Sequence, residues 1–134
     1  MICSEKLARF PFTRGNDVDL LIDAEESYAA LFQAIDRSTR SILMQFYIIN
    51  DDEVGRQFAR HLISAAKRGV DVRLLYDEIG CNRTPEAYFA KLRNAGILVS
   101  PFGSATRMGK RFQINFRNHR KIAVFDTRTG FTGG

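Results

Sequence analysis

Length and composition exclude several classes of protein at the outset. The chain has 134 residues, 45% of them hydrophobic, which suits one globular domain with a substantial core and excludes an extended disordered chain. No apolar run approaches the roughly 20 residues of a membrane-spanning helix, and the N-terminal residues show no secretory signal. Two cysteines, Cys3 and Cys81, cannot form a disulfide framework, and we interpret them as unpaired thiols in a reducing compartment.

Charge is unevenly distributed along the sequence. The net charge is +5, yet residues 1–86 hold 11 Lys and Arg against 14 Asp and Glu. Residues 87–125 hold eight basic and no acidic residues, and six of the eight lie between Arg107 and Lys121. A basic region of this kind attracts phosphate in a nucleic acid, a lipid headgroup or a membrane surface. A solvated basic loop explains the charge equally well.

Segments typical of strands and helices alternate along the chain. Short apolar runs rich in β-forming residues predict strands at 18–22, 41–49, 70–76, 97–102, 111–116 and 121–125. Apolar residues at helical spacing predict three helices, with inner faces of Tyr28, Leu31, Phe32 and Ile35, then Val54, Phe58, Leu62 and Ala65, then Tyr88, Phe89 and Leu92. This order predicts a layered α/β domain whose sheet is mixed or parallel.

Residues at the ends of the predicted helices support their assignment. Asp51 or Asp52 is expected to cap the second helix, because a carboxylate there accepts a hydrogen bond from a free backbone N–H. Pro85 is expected at the first position of the third helix. Gly69 and Gly96 are expected to end the second and third helices, where the chain needs a left-handed conformation.

The stretch from Asn118 to Asp126 carries the chemistry. His119 and Lys121 are two residues apart, so on an extended segment both side chains project to the same face. A neutral imidazole can attack the phosphorus of a phosphodiester, while a nearby ammonium offsets the anionic charge that repels the nucleophile. Asp126 has the opposite parity, and its plain interpretation is an aspartate that starts a turn.

The sequence around this stretch resembles a known family. His119, Lys121 and Asp126, followed by Gly133 and Gly134, match the HxKxxxxD motif of the phospholipase D superfamily. The wider sequence is similar to the N-terminal catalytic half of bacterial cardiolipin synthases, from about Arg14 to the end. The stretches that carry this resemblance are 18–23, 46–55, 66–77, 115–121 and 130–134. The full motif with these flanks is far more specific than a bare HxK.

The resemblance implies an activity and a set of site residues. It implies a layered α/β/α half-domain that catalyses phosphatidyl transfer through a phosphohistidine, converting two phosphatidylglycerol molecules to cardiolipin and glycerol without a metal or other cofactor. The residues implied as catalytic are His119, Lys121 and Asp126. The residues implied to bind the substrate phosphate are Arg117, Asn118, Arg120, Gly133 and Gly134.

The resemblance also implies partners and a location. Such sites combine two HxKxxxxD motifs, whereas this sequence has one. We therefore expect an N-terminal extension at 1–14 and, at 15–134, the first half of a phospholipase D-like domain, truncated after its first motif. The expected partners are anionic phospholipid, a membrane surface, and a second half-domain or a second copy of the chain. The expected location is the bacterial cytoplasmic membrane.

Other interpretations of these residues are structural or belong to other functional classes. We interpret His61 as a structural residue of the second helix, Tyr47 as a core residue, and the run at 51–53 as a helix-capping turn and not a metal site. Two other functions stay open. One is a homodimeric phosphodiesterase that acts on nucleic acid, and the other is an inactive fragment that binds anionic lipid.

Overall fold

The computed structural model describes residues 14–102 and 119–133. From residue 24 to residue 102, helices and strands alternate as the sequence predicts. In chain order they are α1 (Ala24–Arg37), β1 (Ser41–Phe46), α2 (Glu53–Lys67), β2 (Asp71–Asp77), α3 (Glu86–Asn94), β3 (Leu98–Phe102), β4 (Ile122–Phe125) and β5 (Thr129–Thr132). The strand predicted at 111–116 lies outside the described residues.

The five strands form one mixed sheet in the order β3-β2-β1-β4-β5. Strands β1, β2 and β3 are parallel to one another, whereas β4 is antiparallel to β1 and β5 is antiparallel to β4. The predicted α/β fold with a mixed sheet is therefore confirmed. The last residues of the three parallel strands and the first residues of β4 lie at the same end of the sheet, which we call the carboxyl edge.

The helix ends follow the capping residues of the sequence closely. The Asp52 side chain caps α2 by accepting a hydrogen bond of 2.8 Å from the Gly55 amide. Gly69 and Gly96 follow α2 and α3 with φ angles of 90° and 89°, the left-handed conformation that ends a helix. Pro85 is the N-cap of α3 and not its first helical residue, because its ψ of 140° is extended. That prediction was wrong by one position.

The core lies between one face of the sheet and the helices. Alternate residues of β1, β2 and β4 point to this face and are buried, as the period of a strand requires. Phe46 of β1 meets Phe58 of α2 edge to face with 5.7 Å between ring centroids. Tyr76 of β2 stacks on Phe89 of α3 at 4.0 Å. These contacts attach α2 and α3 to the sheet.

The opposite face of the sheet is lined by alternating residues that the described helices do not cover. They are Leu43, Gln45, Arg73, Leu75, Leu98, Ser100, Ile122 and Val124. Leu98 and Leu43 are exposed there. Among residues 14–102 and 119–133, none of the helices has the length and apolar character needed to cross a bilayer.

The segment at 18–22 is not the buried strand that its composition predicts. It has no regular secondary structure, and Val18, Leu20 and Ile22 are 91%, 83% and 84% exposed. Strand propensity reflects how well a side chain packs on neighbouring strands, and this segment pairs with none of the five described strands. The prediction was therefore wrong.

Two leucines on opposite sides of the sheet test the position of the core. Leu92 of α3 is fully buried, whereas Leu98 of β3 is 58% exposed. We expect Leu92→Ala to lower the free energy of unfolding by about 2–5 kcal/mol, because it leaves a cavity. Leu98→Ala removes the same atoms and should cost less than about 1 kcal/mol. Urea denaturation measures both, and equal losses would contradict the assignment of the open face.

Candidate active site

His119 and Lys121 lie together at the carboxyl edge of the sheet. Strand β4 begins at Ile122, which pairs with Gln45 near the end of β1, so Lys121 and His119 extend beyond that end. The His119 ring stacks on the ring of Tyr47, with 3.9 Å between centroids and 19° between planes. His119 is exposed and Lys121 is half-buried. The structure thus places this pair at an open edge and not in the core.

This edge is a place where α/β proteins commonly bind ligands. Open α/β sheets bind them outside the carboxyl ends of the strands, at the point where the strand order reverses. Here β2 and β3 lie on one side of β1, whereas β4 and β5 lie on its other side, so the order reverses between β1 and β4. The His119 and Lys121 side chains stand next to that junction.

Sequence reasoning missed the contact made by Tyr47, which it assigned to the core. Tyr47 directly follows β1 and is half-buried, with its ring against His119. The rule that residues after parallel strands line the carboxyl edge offered a signal for it. The β-forming character of residues 41–49 predicted a longer strand that included Tyr47, whereas β1 ends at Phe46.

Asp126 lies at the other end of β4 from His119 and Lys121. Four residues lie between it and Lys121, so the two are five steps apart, or about 16 Å of extended chain. Its carboxylate accepts hydrogen bonds from the backbone amides of Thr39, Arg40 and Ser41 at 3.0, 2.8 and 2.9 Å. The motif residues therefore divide into a pair at the carboxyl edge and an aspartate that binds the backbone leading into β1.

The bonds made by Asp126 also stabilise an unusual backbone conformation. Asp126 and Thr127 have φ angles of 51° and 57°, and the Arg128 amide donates to the carbonyl of Phe125 at 3.0 Å. Two such residues make the turn that best matches the twist of a hairpin, here the one between β4 and β5. The three amides of Ser41, Thr39 and Arg40 lower the pKa of the Asp126 carboxyl to about 2.

The residues predicted to bind phosphate are only partly described. Arg120 is exposed next to His119. Thr132 pairs with Ile122, so Gly133 follows β5 at the carboxyl edge, on the same side as Lys121. Arg117, Asn118 and Gly134 lie outside the described residues, as does most of the basic region between Arg107 and Lys121.

The remaining candidate residues make structural contacts. His61 Nδ1 lies 2.8 Å from Asp36 Oδ1, and its ring stacks on Phe32, so it joins α2 to α1. Asp51 and Glu53 pair with Arg56 on the surface. Within the described part of the chain, no three His, Cys, Asp or Glu side chains group closely enough to hold a metal ion.

The mixed sheet, with His119 and Lys121 at its carboxyl edge and Asp126 at the other end of β4, defines a phospholipase D-like domain. The family model described as cardiolipin synthase, PLD-like domain, matches residues 31–134, and the chain belongs to this family. Cardiolipin synthase A of Pseudomonas fluorescens is 46% identical over 129 residues, which cover 96% of this chain and 27% of that protein. Cardiolipin synthase A of Pseudomonas syringae is 48% identical over 131 residues, with the same coverage.

A solved structure shares the fold. Nuc from Salmonella typhimurium, described as a phospholipase D family member, superposes with a TM-score of 0.54 and 28% identity, covering 73% of this chain and 56% of that one. The chain spans about a quarter of the length of the curated relatives it matches (27%). Similarity to phospholipase D-type enzymes is thus shown in both sequence and structure.

The Asp126 anchor predicts a particular dependence of stability on pH. A carboxyl whose pKa is about 2 in the folded state and near 3.9 in the unfolded chain stabilises the fold above about pH 4. That stabilisation is lost as the pH falls from about 4 towards 2. We expect Asp126→Asn to lower the melting temperature at pH 7 and to flatten its decline between pH 4 and pH 2.

Thermal melts across this pH range measure the effect. Asp19→Asn is the matched control, because it removes an exposed carboxylate from the described segment that precedes α1. An Asp126→Asn variant with the same acid profile as the wild type and the Asp19→Asn control would show that Asp126 does not anchor the fold.

Proposed function

We propose that this chain provides one half of a phosphatidyl-transfer site, with His119 as nucleophile and Lys121 as the residue that binds the phosphoryl oxygens. The observation that carries the proposal is the His119 ring, exposed and stacked on Tyr47, with Lys121 two residues on at the same edge. The relatives named cardiolipin synthase A support phosphatidylglycerol as both donor and acceptor.

The proposed reaction has two displacements at phosphorus. A His119 nitrogen forms a P–N bond with the donor phosphatidylglycerol while the bond to the glycerol oxygen breaks, and a general acid protonates the leaving glycerol. The same group then removes the proton from a hydroxyl of the second phosphatidylglycerol. That oxygen forms the new P–O bond as the P–N bond breaks, which gives cardiolipin. The Lys121 ammonium offsets the anionic charge in both steps.

Asp126 has a supporting role in this proposal. Its carboxylate binds the amides of Thr39, Arg40 and Ser41, at the end of β4 remote from His119. It therefore acts by fixing β4, the strand that Lys121 directly precedes, and not by touching the substrate.

The general acid must come from a second motif. The chain holds two histidines, and the other one, His61, is bonded to Asp36 and stacked on Phe32 between α1 and α2. One imidazole cannot be neutral for attack and protonated for the leaving group at the same moment. A second half-domain, or a second copy related by twofold symmetry, would supply the partner histidine. Because the substrates are lipids, the site would work at a membrane surface.

An assay on samples of known oligomeric state tests the proposal. We expect cardiolipin and glycerol to form from phosphatidylglycerol vesicles in dimeric fractions, as sized by light scattering, and little product in monomeric ones. His119→Gln and Lys121→Met should each lower turnover at least about 100-fold. His61→Gln is the matched control and should retain activity, because His61 is bonded to Asp36 and stacked on Phe32, both on α1.

The contrary outcomes are distinct. Cleavage of single-stranded DNA without lipid turnover would show that the substrate is a nucleic acid and not a lipid. A strictly monomeric and fully active sample would contradict the need for a second histidine. An active His119→Gln variant would show that His119 is not the nucleophile.

A further inference from the structure

The orientation of the His119 ring depends on contacts outside the sheet. His119 precedes β4, so it lies beyond the last described ladder pair between β4 and β1, and its side chain is exposed. Neither burial nor strand pairing therefore fixes its ring. Among the described residues, the contact that orients it is the stacked ring of Tyr47, nearly parallel to it at 3.9 Å between centroids.

Tyr47 is itself outside the regular part of its strand, and its backbone is held by the loop between β2 and α3 (residues 78–85). Gly80 packs so closely on it that an added Cβ would lie 2.1 Å from the Tyr47 carbonyl oxygen. The Cys81 thiol lies 3.6 Å from the same oxygen and accepts a hydrogen bond of 3.3 Å from the Ile49 amide. Both ends of the short segment 47–49 are therefore attached to this loop.

The loop is rigidly built. The buried Asp77 carboxylate accepts hydrogen bonds from the amides of Ile79 and Gly80 at 3.0 and 2.9 Å. The Cys81 amide donates to the Asp77 carbonyl at 3.0 Å, and the Thr84 hydroxyl donates to the carbonyl of Ile49. Burial raises the pKa of the Cys81 thiol, so this sulfur is a packing and hydrogen-bonding group and not a reactive one.

We propose that Tyr47 is a positioning residue for His119, and that the 78–85 loop holds Tyr47 in place. The stack fixes the plane of the imidazole and hence the direction from which its nitrogen meets a phosphorus atom. This assignment rests on the proposed function where it gives the positioned ring a role in phosphoryl transfer. The geometric part of the proposal, that Tyr47 orients His119, stands on the contacts alone.

Histidine NMR signals test the geometric part without any substrate. The chain has two histidines, so the imidazole region of the spectrum is simple, and His61 on its separate Phe32 stack is an internal reference. We expect Tyr47→Phe to keep the His119 ring-proton shifts and Tyr47→Leu to move them downfield, because the ring current is lost. The His61 signals should stay unchanged in both. Unchanged His119 chemical shifts in the Tyr47→Leu variant would overturn the proposal.

Kinetics test the role in transfer. A misplaced reacting group can cost about 100-fold in rate, so we expect Tyr47→Leu to lower kcat at least about 10-fold while KM changes little, and Tyr47→Phe to remain close to the wild type. Tyr28→Leu removes a similar stack, with Phe32 on α1, and is the matched control that keeps full activity. An unchanged kcat in a Tyr47→Leu variant with shifted His119 signals would overturn the positioning role.

The loop is tested by one added methyl group. Gly80→Ala should displace the Tyr47 backbone and shift the His119 signals in the same direction as Tyr47→Leu does. Gly130→Ala is the control, because its added Cβ would meet no atom closer than the Ala123 oxygen at 4.0 Å. Unchanged His119 signals in a folded Gly80→Ala protein would show that the 78–85 loop does not hold Tyr47 in place. If the wild type fails to turn over lipid, the proposed function falls, while the NMR results still decide whether Tyr47 positions His119.

Discussion

The antiparallel pairing of β4 with β1 determines where every motif residue lies. Because β4 runs against β1, its first residues meet the end of β1, and its last residues meet the beginning of β1. His119 and Lys121 are thereby brought to the carboxyl edge beside Tyr47, and Asp126 is brought to the amides of Thr39–Ser41. Without this strand pairing, His119 and Lys121 would not lie beside the parallel strands, and His119 would not meet the Tyr47 ring.

The spacing of the HxKxxxxD motif follows from the same pairing. The four residues between Lys121 and Asp126 are Ile122–Phe125, which is the whole of β4. The motif therefore spans one strand, with the proposed phosphate chemistry at its first end and a structural anchor at its last. Slipping this strand by one residue would exchange its two faces and separate Asp126 from its three amides. We therefore regard Asp126 as the residue that fixes the register of β4, the strand that Lys121 directly precedes.

Much of this architecture could be predicted from the sequence, and the exceptions have physical causes. Local signals sufficed for the helices and buried strands, since Asp52 and Gly69 act within a few residues of their own position. The shared face of His119 and Lys121 stays a prediction from strand periodicity, because both residues precede the regular part of β4. The segment at 18–22 failed because strand formation needs a partner that composition does not supply. The partners of Tyr47 and Asp126 lie 72 and 85–87 residues away in sequence, beyond the reach of any local pattern.

In the proposed transfer, His119 becomes covalently bonded to phosphorus. Mass spectrometry of protein quenched at alkaline pH during turnover of phosphatidylglycerol measures this directly, and the two histidines of the chain fall in separable peptides. We expect a phosphatidyl adduct on the peptide that contains His119, and we expect it to be absent from Lys121→Met. An adduct on the His61 peptide, or turnover at full rate with no histidine adduct at any quench time, would contradict this proposal.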